Sequence, residues 1–245
     1  RFGTWLDFDE YFRAYCPQDD AFNAEGPTAA RLLRYNREHH ELVSNYVRTK
    51  ERTAADCKND PLFEQIPISS AKRKFKRVQN LPSGKQDNAD KTFEDTITQL
   101  LSSMLYPELD FASTQSRTDS GSLIRDLIFY NNRSDPFLSD LFSEYGNQQL
   151  VFELKNVKAI ERDHINQLNR YMNGCFGKFG ILVTRHELSK AMMKNTIDLW
   201  SGQRRCIITL TDADLEAMVD LFSTKQRAPI DIIKKKYVEF RRACP

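Results

Sequence analysis

No stretch of this 245-residue chain approaches the ~18 consecutive apolar residues that a membrane-crossing helix requires. That excludes a helical membrane protein and sets "no membrane" as the expectation for partners. No signal peptide is visible, although the chain opens on Arg1 rather than methionine, so a larger multidomain parent chain stays open. Cysteine is sparse and scattered. Cys16, Cys57, Cys175, Cys206 and Cys244 form no CxxC pair, and an odd count argues against a disulfide framework. A reducing, cytoplasmic setting is the expectation. No P-loop is present, so this chain does not drive its own translocation along a polymer. Internal repeats and long low-complexity tracts are also missing.

A marked excess of one charge is missing too. The net charge is only +2, so the overall balance does not mark a nucleic-acid binder. The charge is clustered, however, in Lys72-Arg73-Lys74-Phe75-Lys76-Arg77, in Lys234-Lys235-Lys236 and in Arg241-Arg242. Such runs are usually solvated faces; their functional reading is contact with phosphates, which carries no sequence information. What is present is ordinary globular material, 40% hydrophobic with nine glycines, enough for one large domain or a domain with an appendage.

The order of elements follows from periodicity. Residues 1–82 read as a mainly helical region. Arg31 to Val47 has helical spacing after the breaker Gly26-Pro27, and 81–88 gathers turn formers as the best linker. Phe93, Ile97, Leu100, Leu101 and Met104 recur at i, i+4, i+7, i+8 and i+11, which predicts an amphipathic helix stopped by Pro107. A weak strand is predicted over 109–115, then a strand carrying Asp126, an excursion over 131–147 with room for a short helix, and a strand carrying Glu153 and Lys155. A helix over 161–173, a strand over 179–184, a helix over 187–200, a strand over 206–210 and a helix capped by Thr211 follow. This mixture predicts an α/β fold, with a main domain over 88–225 and a basic C-terminal helix over 226–245.

Charged residues stand out where strands should be apolar. Leu123-Ile124-Arg125-Asp126-Leu127-Ile128-Phe129-Tyr130 contains an acid, and Leu150-Val151-Phe152-Glu153-Leu154-Lys155 an acid and a lysine. Burying charge is costly unless it is paired or bound to a metal. Alternation puts Glu153 and Lys155 on one side of their strand and Phe152 and Leu154 on the other. If the two strands pair, Asp126 lies beside Glu153. Two carboxylates without histidine or thiol partners suit Mg2+ or Mn2+ rather than zinc. With a lysine beside them, they suit hydrolysis of a phosphodiester.

Asp126, a gap of about 26 residues and Glu153-Leu154-Lys155 resemble the signature of the PD-(D/E)XK nuclease superfamily. The resemblance spans roughly residues 88–185, about 40% of the chain. It implies a restriction-endonuclease-like core of helix, three strands, helix and strand, with a mixed central sheet flanked by helices and here extended by a C-terminal α-β-α unit. It implies that Asp126 and Glu153 bind the metal, that Lys155 assists the attacking water, and that Leu154 and Glu94 complete the metal set, Glu94 from the first core helix. Gln167-Leu168-Asn169-Arg170-Tyr171 is similar to the QxxxY motif of the recombination and phage exonuclease branch, and Gln167 and Tyr171 share a helix face. Arg125 stands where many members have proline.

Each residue alone has a plainer reading. Glu-x-Lys on a strand is more often a solvent-facing pair, Glu94 has the makings of a surface acid, and Gln167 with Tyr171 of a boundary amide and a core tyrosine. His164, one turn before Gln167, is a weak candidate and more often a helix-surface residue. Arg117, Thr118 and Ser122 could hold phosphate or form a polar turn. Asn131 and Asn156 end strands, where asparagine is often turn chemistry. Lys158, Arg162 and Lys178 could line a groove for DNA. The leading expectation is a Mg2+-dependent DNA endonuclease, with Mn2+ as a substitute, double-stranded DNA as partner and a restriction or phage-defence role by analogy of fold. The alternative is a non-catalytic nucleic-acid-binding or assembly module on the same fold. RNA, a Holliday junction or a flap as substrate, exonuclease action, and a homodimer stay open.

Overall fold

Apolar runs too short for helices make the centre of the molecule, and amphipathic stretches between them make its flanks. The computed structural model describes residues 66, 68–117, 124–224 and 227–245. All belong to one unit, Pro61–Pro245. The predicted helix over Arg31 to Val47 lies outside the described residues. The helices and strands run α1 (Ile68–Gln79), α2 (Ala89–Met104), β1 (Leu109–Arg117), β2 (Ile124–Asn131), α3 (Pro136–Tyr145) and β3 (Gln149–Lys155). They continue with α4 (Arg162–Tyr171), β4 (Phe179–Thr184), α5 (Lys190–Gln203), β5 (Cys206–Leu210), α6 (Asp212–Thr224) and α7 (Ile230–Ala243).

The five strands form one mixed sheet in the order β1-β2-β3-β4-β5. β1, β2 and β3 are antiparallel neighbours, whereas β3, β4 and β5 run parallel. Parallel neighbours need a crossover, which α4 and α5 supply. Because β3 and β4 are covered on both faces, their sequences are nearly unbroken apolar runs, and every residue of β4 is buried. Leu127, Phe129, Leu150, Phe152, Leu154, Ile181 and Val183 point into the larger core, shared with α1, α2, α3, α6 and α7. Val151 and Leu182 point the other way, to Ile165, Leu168 and Tyr171 of α4. The molecule is thus an α/β protein with helices on both faces of its sheet.

Two segments that composition sets apart join this core. Ala71, Phe75 and Val78 of α1 share it with Phe93 and Ile97 of α2, and Ile233 and Phe240 bring α7 into it. The turn-rich stretch after α1 is a fastened bend. Arg185 donates to the carbonyls of Gln79 and Leu81, and Asn156 Nδ2 donates to those of Pro82 and Gly84. The Gly84 N–H donates back to the Asn156 carbonyl at 2.7 Å. The excursion before β3 holds α3, whose start is capped by Asp135 accepting the Phe137 N–H beside Pro136 at the first helical position. Asn147, fully buried, binds three carbonyls and the Phe179 N–H. The adjacent Gly177 (φ 59°) has no room for a side chain, because a Cβ there would collide with the Tyr145 carbonyl and Asn147.

Candidate active site

The site begins where two strands part. The β2–β3 ladder runs from Tyr130 opposite Gln149 to Leu127 opposite Phe152, and there it ends. One residue further, the carboxylate of Asp126 accepts the Leu154 N–H at 2.8 Å, so a side chain takes up the next strand amide. Phe152 and Leu154 are committed to the larger core, which leaves Glu153 and Lys155 on the opposite side of β3.

There the Lys155 ammonium donates to Glu153 Oε1 and lies 3.6 Å from Asp126 Oδ2. One cation therefore contacts both carboxyl groups. Glu153 is fully buried, and its Oε2 has no hydrogen-bond partner among the described residues. Burial, followed by the charge of Asp126, pushes the Glu153 carboxyl up to about 8 against the opposing pull of Lys155. For Lys155, burial pulls downward, but Glu153 and Asp126 outweigh it and the ammonium ends above its ordinary range. Lys155 is therefore charged at neutral pH.

α2 and α4 add the remaining side chains. Glu94, half-buried on α2, has its carboxyl raised by burial and then by Asp126, with Lys155 opposing. On α4, Gln167 Nε2 donates to the Tyr171 hydroxyl at 2.9 Å across one helical turn. Burial raises that hydroxyl, the Gln167 bond opposes the rise, and Glu153 and Asp126 add to it. Asp126, Glu153, Lys155, Glu94 and Tyr171 thus share one electrostatic neighbourhood, and Gln167 joins it through Tyr171.

Other candidates are used differently. His164 Nδ1 accepts the Glu161 N–H at 3.1 Å as half of a capping box that starts α4. Burial and then the Lys155 charge lower its pKa. The Leu154 side chain is buried in the larger core, so only its main chain can serve the site. Asn131 binds the carbonyls of Leu138 and Asn147, and Asn156 holds the bend after α1. Lys158, Arg162 and Lys178 are exposed. Thr118, Ser122 and the side chain of Arg117 lie outside the described residues.

Position-based reasoning passed over Arg125, although it stands in the same apolar run as Asp126. Its guanidinium lies 4.0 Å from the centre of the Phe176 ring and 5.6 Å from that of Tyr171. The signal was available: a charged residue in a buried strand needs a partner whichever its sign.

A divalent cation fits the donor set in kind. Hard carboxyl oxygens converge on one positive charge, and Glu153 Oε2 is buried without a hydrogen-bond partner among the described residues, an oxygen that a cation would take up as the carboxyl loses its proton. In count it is lean. Among the described residues no three Asp, Glu, His or Cys side chains gather closely enough to enclose a metal.

Comparison with known proteins leaves the family open. No family model matches the chain, and no solved structure matches it significantly. The chain is similar to a transposon gamma-delta 80.3 kDa protein of Escherichia coli (strain K12), 32% identical over 80 residues. That match takes in 32% of this chain and 11% of the transposon protein. Among the described residues, no helix is long and apolar enough to cross a membrane.

Proposed function

We propose that this chain is a Mg2+-dependent DNA endonuclease on a restriction-endonuclease-like, PD-(D/E)XK core, with Mn2+ able to substitute. The observation that carries the reading is one protonated lysine contacting the carboxyl groups of Asp126 and Glu153 at the fork of β2 and β3, with a buried oxygen of Glu153 left without a hydrogen-bond partner among the described residues. Asp126 and Glu153 would hold the ion, assisted by Glu94 and the Leu154 main chain. The bound metal would supply Lewis acidity and neutralise phosphate charge. The remaining work belongs to the side chains. Lys155, charged at neutral pH, donates to the attacking water and to a phosphate oxygen as charge builds there. A new P–O bond forms from the water, which gives up its proton to the solvent, in line with the breaking P–O3′ bond, and the 3′-oxygen leaves with a proton taken from the solvent. Gln167 fixes the Tyr171 hydroxyl beside the site.

The basic face of α1 supports a DNA substrate. Arg73, Lys76 and Arg77 are exposed and form no ion pair with the described residues, whereas Lys236 and Arg241 near the C-terminus are engaged by acids. The bend that follows α1 is bonded to Asn156, the residue after Lys155. A restriction or phage-defence role and a cytoplasmic setting go with this reading. The sparse metal set favours the second reading, a module that binds nucleic acid without cutting it.

A plasmid-cleavage assay with Mg2+, Mn2+ and EDTA separates the two. Cleavage that needs the metal and disappears in Asp126→Ala and Lys155→Ala is expected. DNA binding without cleavage by the parent selects the second reading, and cleavage at the parental rate in both variants sinks the first.

A further inference from the structure

Arg125 is 9% exposed, and its Nε is enclosed without a hydrogen-bond partner. Among the described residues its guanidinium has neither a hydrogen bond nor an ion pair; its contacts are the rings of Phe176 and Tyr171. The neighbouring carboxylate, Asp126, is turned to Leu154 and Lys155 instead. A guanidinium this buried with no anion among the described residues is an incomplete arrangement, because its Nε has lost water and gained no hydrogen-bond partner.

The two rings explain how it is held. Their faces are electron-rich and tolerate a cation, and Phe176 at 4.0 Å fixes where the guanidinium lies. Stacking engages the faces of a guanidinium and leaves its edge of N–H donors unused. That planar fork matches a phosphate or carboxylate through two parallel hydrogen bonds. Position then narrows the ligand. Arg125 precedes Asp126, and the Tyr171 ring beneath it carries the hydroxyl held by Gln167.

We propose that Arg125 is a phosphate receptor that takes a backbone phosphate of the substrate strand next to the one being cut. The proposal rests on the nuclease reading for the identity of the strand, but not for the presence of an anion site. Tyr171 is then both a wall of the arginine's slot and a member of the catalytic group, so seating the phosphate positions the strand against Lys155. Arg125 binds substrate and takes no part in bond making.

The test uses the full chain, with Arg125→Met, which keeps bulk and removes charge, and Arg125→Lys, which keeps charge and removes the planar fork. Inorganic phosphate, at ionic strength matched with chloride, should raise the melting temperature of the parent, leave that of Arg125→Met unmoved, and act partially on Arg125→Lys. Binding of a 20-bp duplex in EDTA should weaken roughly 10- to 100-fold in Arg125→Met, with the salt slope of log K falling by about 0.9, the value of one phosphate contact. Equal phosphate shifts in parent and Arg125→Met overturn the anion site, whether or not the chain cuts DNA. An unchanged salt slope overturns the assignment to a backbone phosphate. Should Arg125→Met fail to fold, Arg125→Lys decides: a phosphate shift and duplex affinity both equal to the parent's overturn the proposal. Retained phosphate binding in a parent that cuts no DNA leaves the receptor standing and removes the nuclease reading alone.

Discussion

Arg185 and Arg125 are buried to nearly the same degree, 7% and 9% exposed, yet their donors have opposite fates. Arg185 Nε donates to Asp212 at 2.7 Å, its Nη1 reaches the Leu81 carbonyl and Asn156 Oδ1, and its Nη2 reaches the Gln79 carbonyl. It ties the end of α1, the bend after it, the residue after Lys155 and the start of α6 into one knot. Among the described residues Arg125 has two aromatic rings and no acceptor. A buried cation with every nitrogen bonded stabilises one structure and has little left to offer. One held in place without an anion is prepared for something that arrives later. The Lys155 cluster is incomplete in another way: its cation is paired, but Glu153 Oε2 is buried without a hydrogen-bond partner among the described residues.

The largest effect should come from the matched arginine. Arg185→Met leaves Asp212 and Asn156 oxygens without their donor and should cost about 3–5 kcal/mol, read as a lowered denaturant midpoint with an unchanged slope. A loss below about 1 kcal/mol would erase the contrast with Arg125.

Glu153 should show the opposite behaviour, in a pH-dependent way. Its folded pKa, about 8, lies above the ordinary 4.5, so the folded state holds this proton more tightly than the unfolded chain. The resulting stability is fully present below pH 4.5 and is lost as pH rises through about 8. Glu153→Gln should flatten that decline, by roughly a few kcal/mol near pH 8, in melting curves taken without metal. Mg2+ should restore part of the parent's stability at alkaline pH and none of the variant's. A parent whose melting temperature is level across this range would place Glu153 with the matched groups instead.

The smallest effect on stability should come from exposed charge. Replacing Arg73, Lys76 and Arg77 together by glutamine should change folding stability by no more than about 0.5 kcal/mol per site. It should lower the salt slope of duplex binding by roughly 0.9 for each cation that meets a phosphate. An unchanged slope would make the face of α1 mere solvated surface.

Legibility in the sequence followed the range of each interaction. β2 and β3 could be read because a strand buried on both faces must be apolar throughout, and Glu153 and Lys155 shared a side because side chains alternate. Gln167 and Tyr171 met because four residues make a helical turn. Asp126 was placed beside Glu153 on the condition that the two strands pair, which they do through the rung at Leu127 and Phe152. Asn147, Asn156 and Arg185 were not legible. Most of their partners are main-chain carbonyls, 2 to 106 residues away, and a carbonyl leaves no mark on sequence pattern. The bend over 81–88 has the composition of a linker for the same reason: its restraints lie in Asn156 and Arg185, not in itself. His164, only a weak candidate beside its helix-surface reading, serves the helix itself: its ring nitrogen takes the Glu161 amide at the start of α4.

The hydrogen bond from Leu154 to Asp126 gives the protein a gauge of its own chemistry. Oδ2 of Asp126 is shared between the Leu154 amide and the Lys155 ammonium, so whatever draws charge from that carboxylate also loosens its hold on the amide. Leu154 lies between Glu153 and Lys155 with its side chain clamped in the core, so the amide has little freedom to follow anything else. Its proton shift and exchange rate should therefore rise and fall with the occupancy of the site, letting a single backbone signal tell an idle fork from a loaded one.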